Sequence, residues 1–275
     1  MDAAPRPTRR RRSIRVALVT FVVLLPICLV AGLGAVYFSS NSSPVTTTHN
    51  ANGTSRSVQW AKYPGVAGLD PQLTLSAPSA AATEKDGAAM VAEIQSKISA
   101  AFGYRWHDDS VTEPRVSERA ANNYGGDSML TSLSSASTHS EGVPVSWSDK
   151  QKILAIVSES TTKYGFGVPK VDWNVARAGE AERFHSFGGA TPQTAVLVGA
   201  TATGVSGQWM SVDFTDLSKD KQGRFARKGG NATFHANSIA VKYGSAGLLA
   251  ERDRAQFEKA LKPFAGLKKP AALNN

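Results

Sequence analysis

The sequence predicts an α+β domain, an antiparallel sheet packed by two or three helices, set outside a membrane and joined to it by one N-terminal transmembrane helix. Three observations predict this. A 23-residue stretch without charge lies near the N-terminus, two segments of helical period follow it, and after them come runs in which apolar and polar residues alternate.

The chargeless stretch, Val16 to Phe38, reads VALVTFVVLLPICLVAGLGAVYF. At about 1.5 Å per residue it covers roughly 34 Å, enough to cross a hydrocarbon core of about 30 Å with modest tilt. Pro26 kinks such a span without excluding it, because a freed carbonyl is satisfied locally. Six arginines, Arg6, Arg9, Arg10, Arg11, Arg12 and Arg15, stand directly before it, and residues 39–54 after it hold no Lys, Arg, Asp or Glu. The excess of positive charge places residues 1–15 in the cytoplasm as a basic tail, residues 16–38 in the plasma membrane as a single-pass signal-anchor, and the remainder outside the cell. A cleaved signal peptide is the competing reading. It calls for a shorter apolar region and a small-x-small cleavage site, and here the run ends in Val36-Tyr37-Phe38. Cys28, the one cysteine, sits in mid-span behind Leu25-Pro26-Ile27, without the small residue that a lipidation signal places before its cysteine.

The net charge of +9 suggests nucleic acid until it is divided along the chain: residues 1–38 carry six Arg against one Asp, which leaves +4 for the rest. An outer domain without cysteine must be stabilised by an ordinary hydrophobic core, and of the chain's five Trp, eleven Phe and six Tyr all but Phe21, Tyr37 and Phe38 lie beyond the span to supply the material. Residues 39–82 turn to Ser, Thr, Ala, Pro and Asn, which predicts a flexible stalk, with Trp60, Tyr63 and Leu69 as the residues able to dock on the domain that fills residues 83–275.

Within that domain the first helix is expected over Glu84–Phe102, with Thr83 and Asp86 as a capping box, Val91, Ile94, Ile98 and Phe102 on one face, and Gly103 as the stop. The second is expected over Asp149–Tyr164, capped by Ser148 and Gln151, with Ile153, Leu154, Val157 and Tyr164 as its stripe. Then the period becomes two. Val171, Trp173 and Val175 alternate with polar residues, as do Met210, Val212 and Phe214, and Ile239, Val241 and Tyr243; Ala195–Ala200 reads as a central strand and Glu180–Phe187 as a further one. A last helix, Glu251–Leu261, is stopped by Pro263.

The chemistry-bearing matches have simpler explanations. Ser160-Thr161-Thr162-Lys163 has the S-x-x-K spacing of a serine activated by lysine, but it lies at a helix end where the macrodipole already favours a lysine, and no S-D-N or K-T-G follows. Gly204-Val205-Ser206-Gly207 lacks the residue that a nucleophile elbow needs between serine and second glycine. None of the five histidines has a ligand partner at helical spacing; His107-Asp108-Asp109 is the nearest approach to a metal cluster, and His185 and His235 are the pair able to meet across a sheet. No catalytic residue, metal ligand or cofactor is assigned. The connection Lys219–Lys228 (KDKQGRFARK) has five positive charges against one negative, so Lys219, Lys221, Arg224, Arg227 and Lys228 are the candidate binding residues for an anionic partner; a solvated hairpin loop has the same composition. No nucleic-acid motif accompanies it.

Lys163-Tyr164-Gly165-Phe166-Gly167 at the end of the second helix, and Ser206-Gly207-Gln208-Trp209 in a strand, resemble the LppA-like envelope proteins of high-GC Gram-positive bacteria over roughly Trp147–Phe214. Those proteins are typically anchored through a lipobox cysteine that this chain lacks. The resemblance implies an envelope location and no activity. Together these readings describe a non-catalytic, membrane-anchored cell-envelope module whose partners are the lipid around residues 16–38 and an anionic wall polymer or envelope protein. A wall-active hydrolase is the alternative. A signal receptor is disfavoured because residues 1–15 are too few to hold an output domain.

Overall fold

A computed structural model describes residues 43–49, 52–108, 115–116, 119–172, 189–223 and 235–273. The candidate span 16–38 lies outside them, as do Trp173, Val175 and the strand expected at 180–187; no helix among the described residues is long and apolar enough to cross a membrane.

The chain is α+β, built on antiparallel sheets. A hairpin, β1 (Val45–His49) and β2 (Ser55–Gln59), opens the described structure. It leads through a 3-10 turn and the short α1 (Pro71–Ser76) into α2 (Ala80–Phe102). Strands β3 (Trp106–Asp108), β4 (Arg115–Val116), β5 (Thr131–Ser134) and β6 (Thr138–Ser140) precede α3 (Trp147–Lys163). Then come β7 (Lys170–Asp172), β8 (Leu197–Thr203), β9 (Gln208–Thr215), β10 (Ser238–Leu248) and α4 (Arg254–Leu261). The main sheet runs β3-β6-β10-β9-β8-β7, with β5 joined to the far half of β10 and β4 to β5. At eleven residues β10 is long enough to hold β9 along one edge and both β6 and β5 along the other.

Alternation decides which face is buried. Ile239 and Val241 of β10, Met210, Val212 and Phe214 of β9, and Val198 and Ala200 of β8 point to one side, where Met90, Ile94 and Ile98 of α2 and Ile153 and Val157 of α3 cover them. Gly87 lets α2 approach β10, since a Cβ there would lie 2.2 Å from the Tyr243 ring. Tyr243 then reaches past it to donate to the Glu84 carbonyl at 2.9 Å. The two helices are cross-linked at the surface: Glu93 meets Lys97 at 2.9 Å and Lys163 at 2.7 Å, and Lys97 reaches Glu159 at 3.1 Å. Hydrogen bonding from Lys163 and then from Lys97 holds the Glu93 carboxyl down at about 2.

Several expectations are corrected. Helix α2 starts four residues earlier than Glu84, capped by Ser79, whose hydroxyl accepts from Ala82 N–H; Ala80–Ala82 are strong helix formers and carry it past Thr83. Gly103 does end it, in the left-handed conformation at φ 75°. Helix α3 is capped by Ser146, which accepts from Asp149 N–H at 3.1 Å and donates to its carboxylate at 2.7 Å, so Ser148 lies inside the first turn. Residues 251–253 form a 3-10 turn ahead of α4, and Pro263 sits in another behind it.

The largest correction concerns the flexible stalk: residues 43–49 and 52–82 are folded onto the domain. Their Ser and Thr residues satisfy the backbone by pairing strand to strand, from Val45 opposite Gln59 to His49 opposite Ser55. Their few aromatics do the burying. Trp60 and Tyr63, 1% and 2% exposed, form a cluster with Tyr124 and Phe264 in which neighbouring rings lie 5.1–5.8 Å apart. Asn122, fully buried, ties the backbone down: its amide donates to the carbonyls of Trp60, Ala61 and Tyr63, and its oxygen accepts from Tyr124 and Gly126 N–H. Average composition concealed this, because a few large side chains at the right places outweigh many small polar ones.

Inside the domain Lys150, on the first turns of α3, meets Asp216 at the end of β9 at 2.6 Å, with the two side chains 2% and 1% exposed. Asp216 also accepts from Ser218 N–H and hydroxyl, so both of its carboxylate oxygens are hydrogen-bonded. Breaking such a pair leaves a buried charge. Lys150→Met is expected to cost about 3–5 kcal/mol in urea denaturation, and adding Asp216→Leu to recover most of it. A second expectation follows from Glu93: its carboxyl lies below the ordinary value, so its contribution to stability is present above about pH 4.5 and is lost as pH falls towards about 2. Glu93→Gln should therefore lower the thermal midpoint at neutral pH, and the gap from the parent protein should close across that acid window.

Candidate functional site

The sheet face opposite the helices carries the candidate site. Residues directly opposite one another on paired strands share a face, so the register can be followed across the sheet. His107 lies opposite His139, His139 opposite Ala240, Ala240 opposite Asp213, Asp213 opposite Gly199, and Gly199 opposite Asp172. One transverse row thus crosses six strands as His, His, Ala, Asp, Gly, Asp. Two residues further along, Lys242, Ser211, Thr201 and Lys170 make a parallel row, and Gly244, Trp209 and Thr203 a third.

At one end the imidazoles are stacked. The His235 ring lies 3.6 Å from that of His139 at 8°, and His139 lies 5.6 Å from His107. His107 Nε2 contacts Glu141 at 2.7 Å, and Arg105 meets the other oxygen of the same carboxylate at 2.7 Å. Arg105 first and His107 second hold Glu141 below the usual carboxylate range. Towards the other end, Asp213 leans over Gly199: a Cβ there would sit 2.7 Å from Asp213 Oδ1. Ala240 and Gly199, the small members of the row, leave its floor low on either side of Asp213. In the neighbouring rows the Lys242 ammonium stands 6.0 Å from the Trp209 ring, and Ser211, 1% exposed, has a hydroxyl with no hydrogen-bond partner.

This arrangement suits recognition. Carboxylates accept from hydroxyl and amide groups, flat imidazoles stack on rings, and lysines pair with anions. Among the described residues no three His, Cys, Asp or Glu side chains converge as a metal would require. His107 is spent on Glu141, and Asp109 lies outside the described residues. Ser160 Oγ, fully buried, lies 3.4 Å from both Glu93 and Lys97, and Lys163 pairs with Glu93, so the S-x-x-K spacing belongs to the surface network that joins α2 to α3. Ser206 is buried in a turn at φ 53°, bonded to Thr74 at 3.0 Å and to the Gly247 carbonyl at 3.2 Å, which makes it a turn residue.

Of the basic connection, Lys219 ends a 3-10 turn and Lys221 is exposed; Arg224, Arg227 and Lys228 lie outside the described residues. The connection leaves β9 at Asp216, next to Val196, and the described chain resumes at His235, beside the histidine end of the row. His235 stacks on His139, whereas its expected partner His185 lies outside the described residues. His139, Asp172 and Asp213 escaped the sequence reading. Their signal was the polar half of each alternating run, which marks a face without telling which polar residues of different strands are neighbours.

A separate cavity of about 450 Å³ lies between the arm and the C-terminal segment, walled by Trp60, Tyr63, Leu75, Leu261, Phe264 and Lys269. Lys269 donates to the Leu69 carbonyl at 2.6 Å and stands 5.2 Å from the Tyr63 ring; burial lowers its pKa. Burial pushes the Tyr63 phenol up to about 12, with Tyr124 and Asp70 adding to it.

No protein-family model, curated protein or solved structure matches the chain. Because the Ser211 hydroxyl is buried without a partner, Ser211→Ala is expected to raise the free energy of unfolding by about 1 kcal/mol, and a loss of similar size would show that the hydroxyl is satisfied in solution.

Proposed function

We infer that the protein is a non-catalytic cell-envelope module, held in the plasma membrane by residues 16–38, which binds an anionic wall polymer on its extracytoplasmic side. The observation that carries this reading is the row His107, His139, Ala240, Asp213, Gly199, Asp172, with His235, which follows the basic connection in the sequence, stacked on His139. A hydroxyl-bearing chain laid along the row would meet the carboxylates of Asp213 and Asp172 and the rings of His139 and His235, and the five basic residues that the sequence gathers between Lys219 and Lys228 are the proposed source of cations for its acidic groups. The resemblance to LppA-like proteins supports the envelope location. The arginine-rich tail before the apolar run supports the orientation.

A hydrolase is the second reading, and one observation favours it: Asp213 and Asp172 flank Gly199, two carboxylates on one transverse row. Paired carboxylates of this kind do acid and base work on glycosidic bonds when a substrate lies between them. The binding reading is preferred because the row offers stacked rings and carboxylates spread over six strands, the features of an extended contact surface.

Binding of purified anionic wall polymer to the detergent-solubilised full chain should weaken as salt rises, since exposed charges are screened over about 8 Å at physiological ionic strength. Neutralising Lys219, Lys221, Arg224, Arg227 and Lys228 together should abolish it while leaving the thermal midpoint nearly unchanged. Polymer binding that survives both treatments would refute the role of the connection, and new reducing ends that appear with the parent protein but not with Asp213→Asn would establish the hydrolase instead. Orientation is checked apart from function: protease added to intact spheroplasts should remove the domain and leave a membrane-embedded N-terminal fragment, whereas a mature protein starting near Ser39 in the medium would refute the anchor.

A further inference from the structure

The polypeptide enters the described structure at Ser43, whose hydroxyl donates to the Tyr124 carbonyl, and the next carbonyl, Pro44 O, accepts from Trp60 N–H at 2.9 Å. Four residues, 39–42, separate Ser43 from Phe38, the end of the apolar run, and even fully extended the five steps from one to the other reach only roughly 17 Å. The surface around Ser43 therefore stays close to whatever holds residues 16–38.

Two segments make that surface. The arm, residues 43–69, packs on the C-terminal residues 259–273 through Trp60 against Phe264 and through Arg56, which donates to the Pro263 carbonyl at 3.0 Å, and Leu273 N–H donates at 2.8 Å to the carbonyl of Asn123, the neighbour of the Tyr124 that Ser43 contacts. Between them the segments carry Arg56, Lys62, Lys259, Lys262, Lys268 and Lys269 and no Asp or Glu; Asp70 and Glu258 are the first acids on either side. Their charge is +6, and since residues 1–38 hold +5 of the chain's +9, residues 70–258 are left at −2. The positive charge of the domain is thus gathered at the end where the chain comes in. Lys62, Lys259, Lys262 and Lys268 are exposed there, and Val45, two residues after the entry point, is 57% exposed.

We propose that this end of the domain is a lipid-facing surface: Lys62, Lys259, Lys262 and Lys268 rest on the anionic headgroups of the membrane that holds residues 16–38, so that the domain is seated on the bilayer. The proposal rests on the reading of residues 16–38 as a span, and extends it from an anchor to a fixed pose. Basic groups beside an anionic leaflet gain about fivefold in occupancy each. A short connection keeps these four within reach of the headgroups at all times, which makes even weak contacts effective.

The test uses the full chain in vesicles, with Cys28→Ser and Ala272→Cys so that one fluorophore reports from an exposed position next to Leu273. Quenching by a headgroup-labelled lipid should be strong in vesicles containing phosphatidylglycerol. It should fall at least about tenfold in pure phosphatidylcholine, in the variant with Lys62, Lys259, Lys262 and Lys268 all changed to Gln, and in the labelled chain with those four lysines intact at molar salt, where screening shortens to about 3 Å. The salt series decides the matter even where the fourfold variant fails to fold. Quenching that is the same in both lipids and at all salt concentrations, with the protein still pelleting after alkaline carbonate extraction, overturns the seating and leaves the span intact. Release of the protein by carbonate overturns the span and the seating with it.

Discussion

Antiparallel register is the constraint on which the rest of the molecule depends. Strand β10 is held by β9 on one side and by β6 and β5 on the other, with Ile239, Val241 and Tyr243 facing the helices and Ala240 and Lys242 facing away. Because the side-chain period is two, a slip of one residue would turn the core outward and carry the polar row under α2 and α3. The core cannot tolerate that, so burial of one face sets the position of every residue on the other. The candidate site is in this sense a by-product of packing: Asp213 stands beside Gly199 because Val212 and Phe214 must be buried.

Two polar devices fix what alternation alone would leave loose. Lys150 and Asp216 lock the start of α3 to the end of β9 from inside, where an unpaired charge would be intolerable. Asn122 does the corresponding work for the arm, using a fully satisfied amide to hold three carbonyls that have no strand partner. Around it the Trp60, Tyr63, Tyr124 and Phe264 rings supply the burial that a Ser/Thr-rich segment otherwise lacks. The arm is therefore part of the domain, and the connection between an apolar run ending at Phe38 and a folded chain beginning at Ser43 is short.

That shortness links the two halves of the functional reading. A domain joined to lipid through so few residues, as proposed, would present one end to the membrane, and the two segments around the entry point carry six basic residues and no acid. The polar strip lies on a sheet face, and is framed by the Trp209 ring and the stacked histidines. A binding surface on a fixed base would sample a narrow layer of the cell envelope, and a polymer captured there would be held at a set height above the bilayer.

By itself the sequence determined the α+β class, the two long helices, the alternating cores of β9 and β10 and the stop at Gly103. All of these are local consequences of period, capping and glycine conformation. It also marked which positions of each strand would be polar. What only the tertiary structure decided is which of those positions are neighbours. His139 and His235, or Asp172 and Asp213, are far apart in the chain and meet through strand pairing, which depends on long-range burial that no local pattern encodes. The arm shows the same limit in reverse: its composition reads as unfolded because averaging over many small polar residues hides Trp60 and Tyr63. Their burial requires Asn122, Tyr124 and Phe264, partners that lie some 60 to 200 residues further along the chain.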